Sequence, residues 1–190
     1  MCQDLSIGLR LGWGGLLRKI EENRLRNPGS DDFYAGLQHV VLGMQNWISR
    51  HVEAACEMAE TRPDLRKNLL EMSSINKRLV CEPPQTFREA CQWILWYQMA
   101  ARMYNGSGSL GKLDVLLQPF YDTDTKSETL TDEEATFHIA SVSYTHLDVY
   151  KRQRKVCGGS QTRRLLIELI SSKFSRKSGR VSAISQAAST

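Results

Sequence analysis

The chain has no Cys-x-x-Cys pair, no His-Glu-x-x-His, no Gly-x-Ser-x-Gly and no phosphate-loop signature. These absences leave no locally encoded zinc, serine-hydrolase or P-loop chemistry. Histidine is scarce: His39, His51, His138 and His146 stand far apart, so no metal site and no acid–base pair is expected from local sequence. Long apolar runs are missing too. The longest candidate, Trp93 to Met103, is interrupted by Gln98 and Arg102 and falls short of the ~20 residues that span a bilayer. The five cysteines (Cys2, Cys56, Cys81, Cys91, Cys157) are odd in number and lack metal spacing. With no signal peptide they read as reduced thiols of a cytoplasmic protein, with Cys56, Cys81 and Cys91 as small core or boundary residues.

Charge is unevenly spread. The net charge of +4 averages unlike parts. Residues 154–190 hold eight Lys or Arg against the single acid Glu168, which is +7; residues 141–153 add +1; residues 1–140 are left at −4. A mildly acidic body gives no reason to expect nucleic acid or membrane as a partner.

Residues 1–140 read as successive helices without a strand. Trp13, Leu16, Leu17 and Ile20 recur at helical spacing, and Asn27-Pro28-Gly29-Ser30 ends that run. Asp31 and Asp32 open a long helix whose stripe is Phe33, Leu37, Val40, Val41, Met44, Trp47 and Ile48, continuing to Ala59. Pro63 suits the first turn of a third helix, with Leu65, Leu69, Met72, Ile75 and Leu79 on one side. Glu82-Pro83-Pro84 stops it. Thr86-Phe87-Arg88-Glu89 is a capping box, and the helix it starts is apolar almost all round, which predicts burial. A glycine-rich turn, Asn105–Gly111, follows, then a short helix over Asp114–Tyr121. Thr131-Asp132-Glu133-Glu134 is a second capping box, opening a helix expected to run to Ala140. Its acids are accounted for by helix-dipole and capping energetics.

Val142–Gln153 back-translates to a DNA palindrome resembling two transposon mosaic ends joined head to head, the kind used to attach sequencing adapters; Ser141 completes it. Neither a helix nor a strand calls for such a palindrome. Residues 141–153 are therefore expected to be an adapter-derived scar. Residues 154–190, Ser-rich and basic around one apolar cluster (Leu165 to Ile170), are expected to be an unrelated or out-of-frame, disordered tail.

Four blocks in order carry a family resemblance. Glu82 through Ala90 resembles the Pro-Pro-x-Thr-Phe-x-Glu-Ala segment of the pyruvate formate-lyase-like glycyl radical enzymes, and Trp93 to Trp96 resembles the aromatic helix after it. Asn105-Gly106 through Ser109-Leu110-Gly111-Lys112-Leu113-Asp114, with Pro119, Phe120 and Tyr121, is similar to the family's Asn-Gly…Ser-x-Gly-Arg-x-Asp…Pro-Phe-Tyr block. Leu130 to Ala135 fits the next helix start. The likeness covers most of residues 12–140, so residues 1–140 are expected to be a helical fragment of that domain.

The resemblance implies a parent built on a ten-stranded α/β barrel with outer helices. There, a glycyl radical installed by an activase using S-adenosylmethionine and an iron–sulfur cluster passes to a cysteine, whose thiyl radical abstracts hydrogen from a small substrate. The parent would be a cytoplasmic, homo-oligomeric lyase or dehydratase of anaerobic metabolism. No cysteine here sits in the family's cysteine-loop motif and no glycine in its radical-loop motif, so no catalytic residue carries over, no cofactor is expected in this chain, and the polypeptide is expected to be inert. Ser109 matches a serine that reaches the substrate cavity in some relatives, with Asn105 as an orienting group. The turn is about one residue shorter than the family's, and Lys112 stands where the family has Arg, which loses the planar fork. As a fragment, helices bearing Trp93, Trp96, Phe120 and Phe137 would lack the barrel that covers them. The alternative is a stand-alone helical binding module with a basic tail.

Overall fold

The computed structural model describes residues 4–104 and 110–153. Six helices form among them: α1 Ser6–Arg26, α2 Asp31–Thr61, α3 Arg66–Leu79, α4 Phe87–Tyr104, α5 Leu113–Lys126 and α6 Asp132–Gln153. No strand occurs among the described residues. The chain divides into two compact units, one of residues 1–85 and 92–110, the other of residues 86–91 and 111–190.

In the first unit, α1 is two helical pieces joined at Gly12, whose backbone is non-helical (φ 63°, ψ 179°). That region is open essentially to glycine alone. The bend brings α1 onto the turn after α3. A Cβ on Gly12 would stand 2.5 Å from the carbonyl carbon of Glu82 and from the nitrogen of Pro83, and the Gly14 amide donates to the Cys81 carbonyl at 2.9 Å. Gln45 of α2 donates to the Val80 carbonyl at 2.9 Å, so the same turn is held from a second side. The proline pair that ends α3 therefore sits in a fixed cradle. Gly8 lies directly against the Trp93 ring, where no side chain would fit.

The apolar stripe of α2 is buried at Val41, Met44, Ile48 and Ala59. Leu79, Trp93, Ile94 and Trp96 complete this core, each worth roughly 1.5–3 kcal/mol of burial or more. Trp13 and Trp93 stack at 4.9 Å. Trp47, His51 and Trp96 meet edge to face at 5.1–5.7 Å. The Trp96 indole donates to Asn76 Oδ1 at 2.7 Å, and Asn76 in turn donates to the Met72 carbonyl, which is why a polar residue survives at a buried position. Among the described residues, the indole N–H groups of Trp13 and Trp93 are buried with no protein acceptor.

The second unit holds the first turn of α4 with α5 and α6. Among the described residues, Phe87, Ala90, Cys91, Leu117, Tyr121, Leu130, Ala135, Ile139 and Val142 are its buried apolar residues, and the Phe87 and Tyr121 rings meet at 6.0 Å. α5 ends with Glu128 at φ 58° and with the Thr129 amide reaching back to the Asp124 carbonyl at 2.9 Å, a Schellman-type close.

Several expectations need correcting. α1 begins upstream of Trp13, because the Gly12 bend separates two helical runs that no single period connects. Pro63 lies in a turn and α3 starts at Arg66; the Leu65 amide bonds to the Arg62 carbonyl and delays the helix by one turn. α5 runs on to Lys126. α6 passes Ala140 and continues to Gln153, since residues 141–153 contain neither Pro nor Gly to end it. Trp93 and Trp96 are covered within this chain, whereas Phe137 is 68% exposed.

Candidate functional site

The turn expected to reach a substrate joins α4 to α5. Its residues Asn105 and Ser109 lie outside the described residues. What is described is how its borders are fixed. Leu110 is buried, and Gly111 has φ 69°.

The start of α4 is held by three hydrogen bonds to its first-turn amides and to Thr86. The Glu89 amide donates to Thr86 Oγ1 at 3.2 Å, and the Thr86 amide donates to Glu89 Oε2 at 3.1 Å. This is the reciprocal box read from the sequence. A third amide, that of Phe87, donates to Asp124 Oδ2 at 2.7 Å. Asp124 is buried and stands near the end of α5, where a helix dipole disfavours an acid; its use is across space, at the positive end of α4. Sequence reading missed Asp124. The only signal was an acid at the wrong end of a helix.

The second box also forms. The Glu134 amide donates to Thr131 Oγ1 at 3.3 Å, and the Thr131 amide and hydroxyl donate to Glu134 Oε2, each at 2.9 Å. These bonds hold the Glu134 carboxyl below its ordinary value, the Thr131 amide being the largest cause. The Tyr121 hydroxyl donates to Asp132 Oδ1 at 2.6 Å. The residues that carry the resemblance around Thr86 and Thr131 thus hold helix ends in place.

Cys56 and Cys81 are exposed and Cys91 is buried. Burial pushes the Cys91 thiol far up, so it stays protonated and is a poor ligand or nucleophile. Among the described residues, no group of three or more His, Cys, Asp or Glu could hold a metal ion, and no helix is long and apolar enough to cross a membrane.

The family model described as pyruvate formate lyase-like matches residues 1–153. The chain is 31% identical over 155 residues to "Probable dehydratase YbiW" of Escherichia coli K12, covering 75% of this chain and 19% of that protein. It is 30% identical over 149 residues to the isethionate sulfite-lyase of Bilophila wadsworthia, covering 72% of this chain and 18% of that one. A glycyl radical enzyme of Archaeoglobus fulgidus is similar in structure, with TM-score 0.66, 27% identity, 74% of this chain and 19% of the other. The glycerol-bound B12-independent glycerol dehydratase of Clostridium butyricum matches with TM-score 0.69 over 75% of this chain and 19% of the other; at 22% identity this is likeness of fold alone. The chain spans about a fifth of the length of these relatives. Their parent fold is the ten-stranded α/β barrel, to which the described residues correspond as helices. The chain belongs to the pyruvate formate lyase-like family of glycyl radical enzymes.

Proposed function

We propose that this chain is the N-terminal-side part of a glycyl radical lyase or dehydratase, and that by itself it is inert. In the intact enzyme a radical activase, using S-adenosylmethionine and an iron–sulfur cluster, generates the glycyl radical, and a thiyl radical takes hydrogen from a small-molecule substrate. The intact enzyme is a cytoplasmic homo-oligomer of anaerobic metabolism. Residues 1–140 supply helices and the turn between α4 and α5, where Ser109 contacts the substrate and Asn105 orients it. Residues 141–153 derive from an adapter junction, and residues 154–190 belong elsewhere or to another frame. The observation that supports the family part of this reading is the match over residues 1–153 in a chain that covers about one fifth of its relatives' length; the junction rests on the palindrome encoded by residues 141–153 alone.

The test is amplification across codons 130–165 from the source DNA, sequenced without transposon-based library preparation. A frame that loses the palindrome and runs on toward a cysteine loop and a glycine loop is the expected result. A palindrome present in unamplified genomic DNA would overturn the fragment reading. A second reading, a stand-alone helical binding module, draws on one observation: Trp93, Trp96, Ile48 and Leu79 are buried within this chain alone. It predicts a soluble monomer with a cooperative melt; aggregation through exposed side chains such as Phe137 would favour the fragment reading.

A further inference from the structure

Three rings of the first unit form one continuous column. Trp13 of α1 stacks on Trp93 of α4 at 4.9 Å, with 26° between the planes. Trp93 stacks on Tyr97 at 5.9 Å, with 10° between them. Trp93 and Tyr97 are one helical turn apart, which places both side chains on one face of α4. Trp13 comes to them from another helix, where the Gly12 bend sets the course of α1 and Gly8 leaves room for the Trp93 ring. The column is graded in burial. Trp13 and Trp93 are 5% and 2% exposed, whereas Tyr97 is half-buried. A tyrosine so placed packs its ring and keeps its hydroxyl toward water. Trp47 and Trp96 are arranged differently: they meet edge to face, at 73°, and the ring that joins them is His51, not a phenol.

Indole and phenol are the aromatic side chains that give up an electron most readily, and overlap between near-parallel rings lets the electron pass. A phenol is protonated at neutral pH; one that can shed this proton to water is easier to oxidise than an indole. We infer that Trp13, Trp93 and Tyr97 are a one-electron relay that discharges the buried indole pair to solvent through Tyr97. A one-electron oxidant takes an electron from Trp13 or Trp93 and leaves an indole cation radical, which the stacked pair shares. The Tyr97 phenol gives one electron to Trp93, restoring the indole, and releases its hydroxyl proton to water. The product is a neutral phenoxyl radical on Tyr97. A soluble reductant such as ascorbate returns it to the phenol with one electron and one proton. The relay rests on the ring geometry of this unit and not on the functional proposal above.

The test is flash photo-ionisation of the native 190-residue chain, with hexaamminecobalt(III) in the solvent to take the ejected electron. Transient absorption then follows the indolyl and phenoxyl radicals. The indolyl signal should decay as the phenoxyl signal grows, at a rate independent of protein concentration. Tyr97→Phe should lower the phenoxyl yield severalfold and lengthen the indolyl lifetime. Tyr34→Phe, whose ring meets that of Phe33, should change neither. Trp93→Phe should cut the yield more than Trp96→Phe, although Trp96 is the residue next to Tyr97 in the chain. Unfolding in urea separates the stacked rings and should slow phenoxyl growth severalfold. A greater loss from Trp96→Phe than from Trp93→Phe would overturn the relay, because the electron would then travel along the chain and not through the stack. So would an unchanged yield in Tyr97→Phe. Equal growth rates before and after urea would overturn it as well, whether because the stack is idle or because the chain does not form it.

Discussion

Gly12→Ala is expected to destabilise the first unit by about 2–6 kcal/mol, from two independent contributions. The first is conformational. At φ 63° and ψ 179° an L-residue is strained by about 1–3 kcal/mol. The second is steric. The new Cβ would lie 2.5 Å from the Glu82 carbonyl carbon and the Pro83 nitrogen. These are backbone atoms in a turn held by the Gly14 and Gln45 bonds, so they cannot retreat as a side-chain tip could, and overpacking adds about 1–3 kcal/mol. The total is a large share of the ~5–15 kcal/mol that separates folded from unfolded domains. Gly29→Ala is the control: its φ is 96° but nothing lies within 4 Å, so only strain of about 1–2 kcal/mol applies. The assay is urea unfolding followed by tryptophan fluorescence, which reports this unit because Trp13, Trp47, Trp93 and Trp96 all lie in it. Equal losses in the two variants would refute the steric contribution. A Gly12→Ala protein as stable as the parent would refute both.

Three further outcomes are expected. Asp124→Ala leaves the buried Phe87 amide without its acceptor and should cost about 1–3 kcal/mol, while Asp124→Asn keeps an acceptor oxygen and should cost less; equal losses in urea unfolding would argue against the cap. Glu128→Gly should stabilise by about 1 kcal/mol, because φ 58° strains an L-residue and not glycine; a lower melting temperature would contradict this. The Glu134 carboxyl is held below its ordinary value by the Thr131 amide and hydroxyl, so its contribution is present above the unfolded pKa and is lost as pH falls through the lower folded one. Thr131→Ala removes only the hydroxyl and should move the titration partway back, as followed by NMR of the Glu134 side chain; no movement would remove the hydroxyl from the account.

Sequence alone determined the helical class, the two capping boxes and the breaks at Asn27–Ser30 and Glu82–Pro84, because each is written within a few neighbouring residues. The family was legible for the same reason, in four local blocks. The site was legible only as positions: Asn105 and Ser109 could be named, but not what surrounds them. Tertiary structure decided the rest. Asp124 acts on an amide thirty-seven residues away, and Gly12 is required because another segment's backbone passes beside it. Which part of the α2 stripe is covered was likewise fixed by packing, since Phe33 and Ile48 share one periodicity but only Ile48 is buried. Periodicity tells which face of a helix is apolar; only the arrangement of the other helices tells what meets it.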